Sequence, residues 1–210
     1  GLPPAHFGAQ ADRLTDYFQD RGIVEYVYGD KHYTISIEDV ACYPQAYAAA
    51  ATMLHALLDD PKAVVLDIGG FTADYLLLKN GKADLASCDS LENGVIRLYN
   101  KIRSRGNSEL DLLLDESDVD AILTGKQTKY PVEAVRLVEQ LAQEFVNDLF
   151  STLRERMLDL RFCKVVFVGG GSILLRRQIE ASNKVGTPLF VTNINANAAG
   201  YEYLYRLEAM

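Results

Sequence analysis

Two apolar runs that end in glycines constrain this chain most. Residues 63–67 read Ala-Val-Val-Leu-Asp and lead into Ile68-Gly69-Gly70; residues 164–168 read Lys-Val-Val-Phe-Val and lead into Gly169-Gly170-Gly171-Ser172. Apolar, β-branched runs without polar alternation fit strands covered on both faces. After the first run, Thr72–Leu78 reads as a second strand, Asn80-Gly81 as a hairpin turn and Ala83–Ser87 as a short third strand. Ser90 can cap a helix reaching about Ile102. The polar stretch Arg103–Lys129 is broken by Gly106 and Gly125, with a start signal at Ser117-Asp118. Pro131–Leu158 carries one apolar stripe through Val135, Val138, Ala142, Phe145, Leu149, Leu153 and Met157, a helical period. The second run is followed by a helix to about Ala181, a short strand Pro188–Val191 and a helix Asn195–Leu207. The order β-β-β-α-insert-α-β-α-β-α predicts an α/β domain with helices on both faces of a mixed sheet.

Upstream of residue 63 the pattern differs. Gln10–Gln19 has helical spacing and stops at Gly22. Ile23–Tyr28 and His32–Ile37, parted by Gly29-Asp30-Lys31, read as a β-hairpin. Pro44–Leu58 reads as an alanine-rich helix. The 21 basic and 29 acidic side chains give a net charge of −8, which argues against coating DNA or RNA. Phosphates remain possible ligands, since backbone N–H groups and a metal can hold them. Cys42, Cys88 and Cys163 lie far apart with no metal-type spacing, and His6, His32 and His55 are not at ligand spacing. Reduced cysteines point to the cytoplasm. No apolar run reaches membrane-spanning length.

Four segments carry chemistry. Asp67 ends a buried strand, Gly69 and Gly70 permit a tight turn, and Thr72 adds a hydroxyl; together they could make an anion nest beside a carboxylate that holds hydrated Mg²⁺. Gly169, Gly170, Gly171 and Ser172 join a strand to a helix and expose bare backbone to a flat ligand. Gln45 opens the alanine-rich helix, where its amide could orient a water. Asn195–Tyr201 is a second small-residue helix start, whose Gly200 implies a close helix crossing. The acidic run Glu109–Asp120 reads as a solvated face, as do Arg176 and Arg177.

This succession resembles the actin-like ATPase superfamily with its ribonuclease-H-like core. Within it, Asp-Ile-Gly-Gly-Phe-Thr-Ala-Asp (67–74) and Tyr-Pro-Gln-Ala-Tyr-Ala-Ala-Ala (43–50) are most similar to the bacterial plasmid-segregation actins of the ParM/StbA type. The resemblance implies that Asp67 holds Mg²⁺ of bound ATP through water, and that Gly69, Gly70 and Thr72 contact the β- and γ-phosphates. It implies that Gly169, Gly170, Gly171 and Ser172 line the adenosine and that Gln45 orients the attacking water. Gln143 and Glu144 lie on a face that could approach the ribose, with neither assigned. The expected partners are further copies in a filament or dimer and a DNA-binding adaptor, with no direct nucleic-acid or membrane contact. The family's first phosphate loop has no counterpart before Pro44, and the chain opens at Gly1. The expectation is therefore a second actin-like domain over 59–210, with a helical insert at about 103–129, and an incomplete first domain over 1–58. Residues 1–58 are then expected to pack on a second copy or over the chain's own surface, with low activity. Alternatives are a non-hydrolysing scaffold or a sugar- or acetate-kinase-type phosphotransferase of the same superfamily.

Overall fold

A computed structural model describes residues 1–57 and 60–208. Helix α1 (Pro4–Gln19) starts with proline in its first turn, the position where the missing N–H costs nothing, so it begins earlier than Gln10. Its Phe7, Ala11 and Leu14 are half-buried. Strands β1 (Ile23–Tyr28) and β2 (Lys31–Ser36) pair antiparallel as a separate two-stranded ribbon, exposed on both faces.

The alanine-rich segment forms only one α-turn, α2 (Tyr47–Ala50), followed by a 3₁₀ stretch Ala51–Ala56. The expected end at Leu58 lies outside the described residues. Ala48, Ala49, Ala50 and Ala51 are all buried, and close packing overrides their strong α-propensity.

The main sheet has β3 (Ala63–Ile68) at its centre. On one side β4 (Ala73–Lys79) and then β5 (Lys82–Leu91) follow antiparallel; on the other β6 (Lys164–Val168) and β7 (Thr187–Phe190) follow parallel. Helix α1 rests on β5 and β4. Strand β5 runs twice as far as the sequence suggests, accommodated by a bulge at Leu76/Leu77. It takes in Ser90, which pairs with Asp74 instead of capping a helix.

Both faces of β3 are covered. Val64, Leu66, Ile68, Tyr75, Leu77, Val165 and Phe167 face α3 (Val95–Leu110), α4 (Glu116–Leu123), α5 (Val132–Glu155), α6 (Gly170–Leu174) and α7 (Arg176–Glu180) in the larger core. Ala63, Val65, Leu76, Leu78, Val166 and Val168 face α2 and α8 (Ala196–Glu208). The α5 stripe is wider than its sequence spacing indicates, since Leu137, Leu141, Val146 and Phe150 are buried as well. It stops at Leu153, and Met157 is 86% exposed at positive φ beyond the helix end. Helix α4 opens with a capping box: Asp115 accepts from the Asp118 N–H, and the Asp118 side chain accepts from the Asp115 N–H.

Candidate functional site

The β3–β4 turn is built by helix α3. Gly69 N–H donates to the Thr72 carbonyl at 2.8 Å and closes the turn. The carbonyls of Phe71, Gly69 and Gly70 accept from the N–H groups of Gly94, Val95 and Ile96 at 3.0, 3.0 and 2.9 Å. These three donors are orphans at any helix start, and here a distant turn caps them in place of a side chain. A Cβ at Gly94 would lie 2.2 Å from the Gly70 oxygen, so only glycine allows this approach. In a trans peptide the N–H points opposite to its C=O. The N–H groups of Gly70, Phe71 and Thr72 are therefore turned away from α3, and no backbone carbonyl among the described residues accepts from them. Phe71 is 77% exposed, so this side of the turn is open. Three successive outward N–H groups are an arrangement of the kind found in anion-binding concavities.

Two carboxylates sit directly behind the turn. Asp67 on β3 faces Asp74 on β4 across the antiparallel register. Asp74 is only 8% exposed, and its Oδ1 has no hydrogen-bond partner. Burial pushes the Asp67 carboxyl above the usual range and the Asp74 charge adds to this, while a hydrogen bond from Asn197 works against it. Two facing carboxyl groups, one of them with a buried, unpartnered oxygen, are a donor set suited to a hydrated cation.

The second glycine loop closes over the same carboxylate. Gly169 has φ +84°, and a Cβ there would lie 2.2 Å from Asp67 Oδ1. A Cβ at Gly171 would lie 2.7 Å from Ile68 and Val95 atoms. Beside Gly170 there is open space. Ser172 faces inward: it is fully buried, and its hydroxyl donates to the Val168 carbonyl at 2.5 Å. Only its backbone can belong to the loop's open side.

Gln45 reaches the same corner from the other layer. The Ala46 N–H donates to Asn197 Oδ1 at 3.1 Å, and Asn197 Nδ2 donates to Asp67 Oδ2 at 3.4 Å. The Tyr201 hydroxyl on α8 is pushed up by burial and by Cys42 and Asp67, with the Gln45 amide opposing. Gln45, Asp67, Gly69, Gly70, Thr72, Gly169 and Gly170 thus gather at one end of the sheet. Gly94, Asp74 and Asn197 complete the site. Asp74 closes the quoted motif at 67–74, and Asn197 is the single polar residue in Ala196–Gly200, so both carry a visible sequence signal, while Gly94 does not.

Other candidates are engaged elsewhere. Gln143 donates to the Gln178 carbonyl at 3.1 Å, and Glu144 pairs with Lys101 at 3.1 Å. Arg176 pairs with Glu180, and Arg177 with Glu139. Within the acidic run, Glu109 and Glu116 pair with Arg105 and Arg103. No group of three metal-ligating side chains exists among the described residues.

A five-stranded 3-2-1-4-5 mixed sheet with glycine turns at the ends of its first and fourth strands defines an actin-like, ribonuclease-H-like ATPase fold. Residues 65–181, more than half of the chain, match the family described as archaeal actin homologue MreB-like, C-terminal, and the chain belongs to that family. Its fold is similar to the archaeal actin homolog Ta0583, with a TM-score of 0.77 and 18% identity, over 99% of this chain and 69% of that one. An ADP complex of Ta0583 gives 0.66 and 19%, over 93% and 67%. The Alp12 filament structure gives 0.72 and 18%, over 100% and 67%. The apo psk41 parM protein gives 0.71 and 14%, over 99% and 62%. No curated protein matches the sequence.

Proposed function

We propose that this chain is the nucleotide-carrying part of an actin-like ATPase that assembles into filaments. The outward N–H groups of Gly70, Phe71 and Thr72, next to Asp67 and Asp74, carry this reading. The turn would take the β- and γ-phosphates on these N–H groups and the Thr72 hydroxyl. The open space beside Gly170 suits the adenosine, with Gly169 and Gly171 keeping the loop flat against β3. Asp67 would hold Mg²⁺ through water, with Asp74 as a second negative charge behind it. When bound, the metal neutralises phosphate charge. Gln45 would orient the water whose oxygen bonds to the γ-phosphorus as the bond to the bridging oxygen breaks, releasing ADP and phosphate. Positioning and electrostatics supply most of the acceleration in such a transfer.

The ADP complex of Ta0583 and the filament of Alp12 support nucleotide binding and self-assembly by likeness. Residues 59–210 would form the second actin-like domain and residues 1–58 a part of the first. The exposed ribbon, with Ile23, Tyr26, Val27, Tyr28 and Ile35 on its surface, offers an apolar patch for a neighbouring copy. A DNA-binding adaptor and a role in plasmid segregation in the cytoplasm remain part of the same proposal. No helix among the described residues is long and apolar enough to cross a membrane.

Calorimetry with ADP and ATP, with and without Mg²⁺, tests the site. Mg²⁺-dependent binding that Asp67→Ala abolishes is the expected result. Absence of binding, or binding indifferent to both Mg²⁺ and Asp67, would overturn the assignment and favour a nucleotide-independent scaffold. Phosphate transfer to a sugar or to acetate would favour the kinase alternative.

A further inference from the structure

Ala46 is a strained residue placed next to Gln45. Its backbone sits at φ 61°, ψ −53°, a region an L-residue rarely enters. The Tyr47 N–H donates back to the Gln45 carbonyl at 2.6 Å, closing a three-residue γ-turn around Ala46. A γ-turn with positive φ is rare, and such strain persists only where the surroundings over-determine it.

Three contacts hold it. The Ala46 methyl is fully buried in the core beneath α2 and α8. The Gln45 N–H donates to the Leu2 carbonyl at 2.8 Å. The Ala46 N–H, which the turn itself leaves without an acceptor, donates to Asn197 Oδ1. The other end of that same amide donates to Asp67 Oδ2. One side chain therefore touches both the strained turn and the Asp67 carboxylate. The asparagine amide carries its acceptor and its donor on separate atoms, so it can serve both partners at once.

We propose that Asn197 is a positioning residue that clamps the Gln45–Tyr47 turn against Asp67, so that the direction of Gln45 depends on how the carboxylate is engaged. The clamp itself stands on the hydrogen bonds; its link to a lytic water rests on the nucleotide reading above. Asp67 Oδ2 would hold a hydrated cation at the cost of the Asn197 donor, and the Asn197 amide would then hold the turn by its Ala46 end only.

Amide hydrogen exchange by NMR on this chain, free of ligand, tests the clamp. Asn197→Ala is expected to speed exchange at Ala46 about tenfold, the scale of one lost hydrogen bond. The Leu66 and Val165 amides at the sheet centre should exchange as in the parent. The double change Asp67→Asn with Asn197→Asp retains the acceptor for the Ala46 N–H without setting two carboxylates 3.4 Å apart, and should keep Ala46 protected. An unchanged Ala46 rate in Asn197→Ala, or equal acceleration in both variants, would overturn the proposal. Should Asn197→Ala loosen the whole fold, Ala46→Gly decides. Glycine enters this turn without strain, so in that background the effect of Asn197→Ala should shrink to about threefold or less. Persistence of the full effect would overturn the strain-clamp. Finally, Mg²⁺·ADP should shift the Ala46 amide resonance in the parent and not in Asn197→Ala; equal shifts in both overturn the coupling. If the parent binds no nucleotide, that reading falls, and the exchange rates alone decide the clamp.

Discussion

Gly200→Ala probes the helix crossing that joins the two layers at the site. A Cβ at Gly200 would lie 1.8 Å from the Ala48 carbonyl oxygen and 2.3 Å from its carbon. A carbon–oxygen contact needs about 3.3 Å, so α8 and α2 must part by roughly 1.5 Å. The obstacle is backbone and cannot rotate aside. Separation also loosens Tyr43, Ala48, Ala51 and Leu204, which form a small core of their own. Overpacking of this kind costs about 3 kcal/mol, while alanine in a helix interior returns about 1 kcal/mol over glycine. The net loss is about 2 kcal/mol. With a urea m-value of about 2 kcal/mol/M, the midpoint should fall by about 1 M at unchanged slope. Gly8→Ala in α1 is the control: nothing lies within 4 Å of its added methyl, so helix propensity alone should act, and stability should hold or rise by up to about 1 kcal/mol. A Gly200→Ala midpoint at or above that of the parent would refute the close-crossing account.

Two further outcomes follow from the same structure. Asp67 has its folded-state pKa raised by burial, with Asp74 adding, so its ionisation weakens the ligand-free fold. For a raised carboxyl, stability is fully present below the unfolded pKa and is lost as pH rises through the folded value. Asp67→Asn should therefore raise the urea midpoint at pH 7, with the gain vanishing below about pH 4, while on the proposed nucleotide reading the same change should weaken Mg²⁺-dependent binding. Asp115→Ala removes the side chain that accepts from the Asp118 N–H and should cost about 1 kcal/mol in urea unfolding; adding Asp118→Ala should cost less than the sum of the two single changes, because the two side chains form one reciprocal box.

Much of the fold is legible in the chain because its signals are local. The apolar runs at 63–67 and 164–168 become central strands, Asn80-Gly81 becomes a hairpin turn, and Gly200 is the close crossing that its place in a helical pattern implies. The errors occur where distant segments meet. Ser90 has a capping side chain, yet α3 starts after Gly94, because three carbonyls of a turn more than twenty residues upstream satisfy its first donors. The alanines after Gln45 have the highest helix propensity, yet they make a single α-turn between buried surfaces. The hydroxyl of Ser172, in a loop that reads as ligand-facing, is spent on the carbonyl four residues back.

The sequence by itself determined the strand and helix order, the glycines at the ends of the two central strands and the presence of an acidic residue at the first of them. Those features depend on residue type and near neighbours, which a linear pattern contains. Only the tertiary structure decided which way the turn's N–H groups face, that Asp74 Oδ1 stands without a hydrogen-bond partner beside Asp67, and that Asn197 joins Asp67 to the strained turn at Ala46. Hydrogen bonds between groups 130 and 151 residues apart make the last of these arrangements, and no local periodicity encodes a partner at that distance.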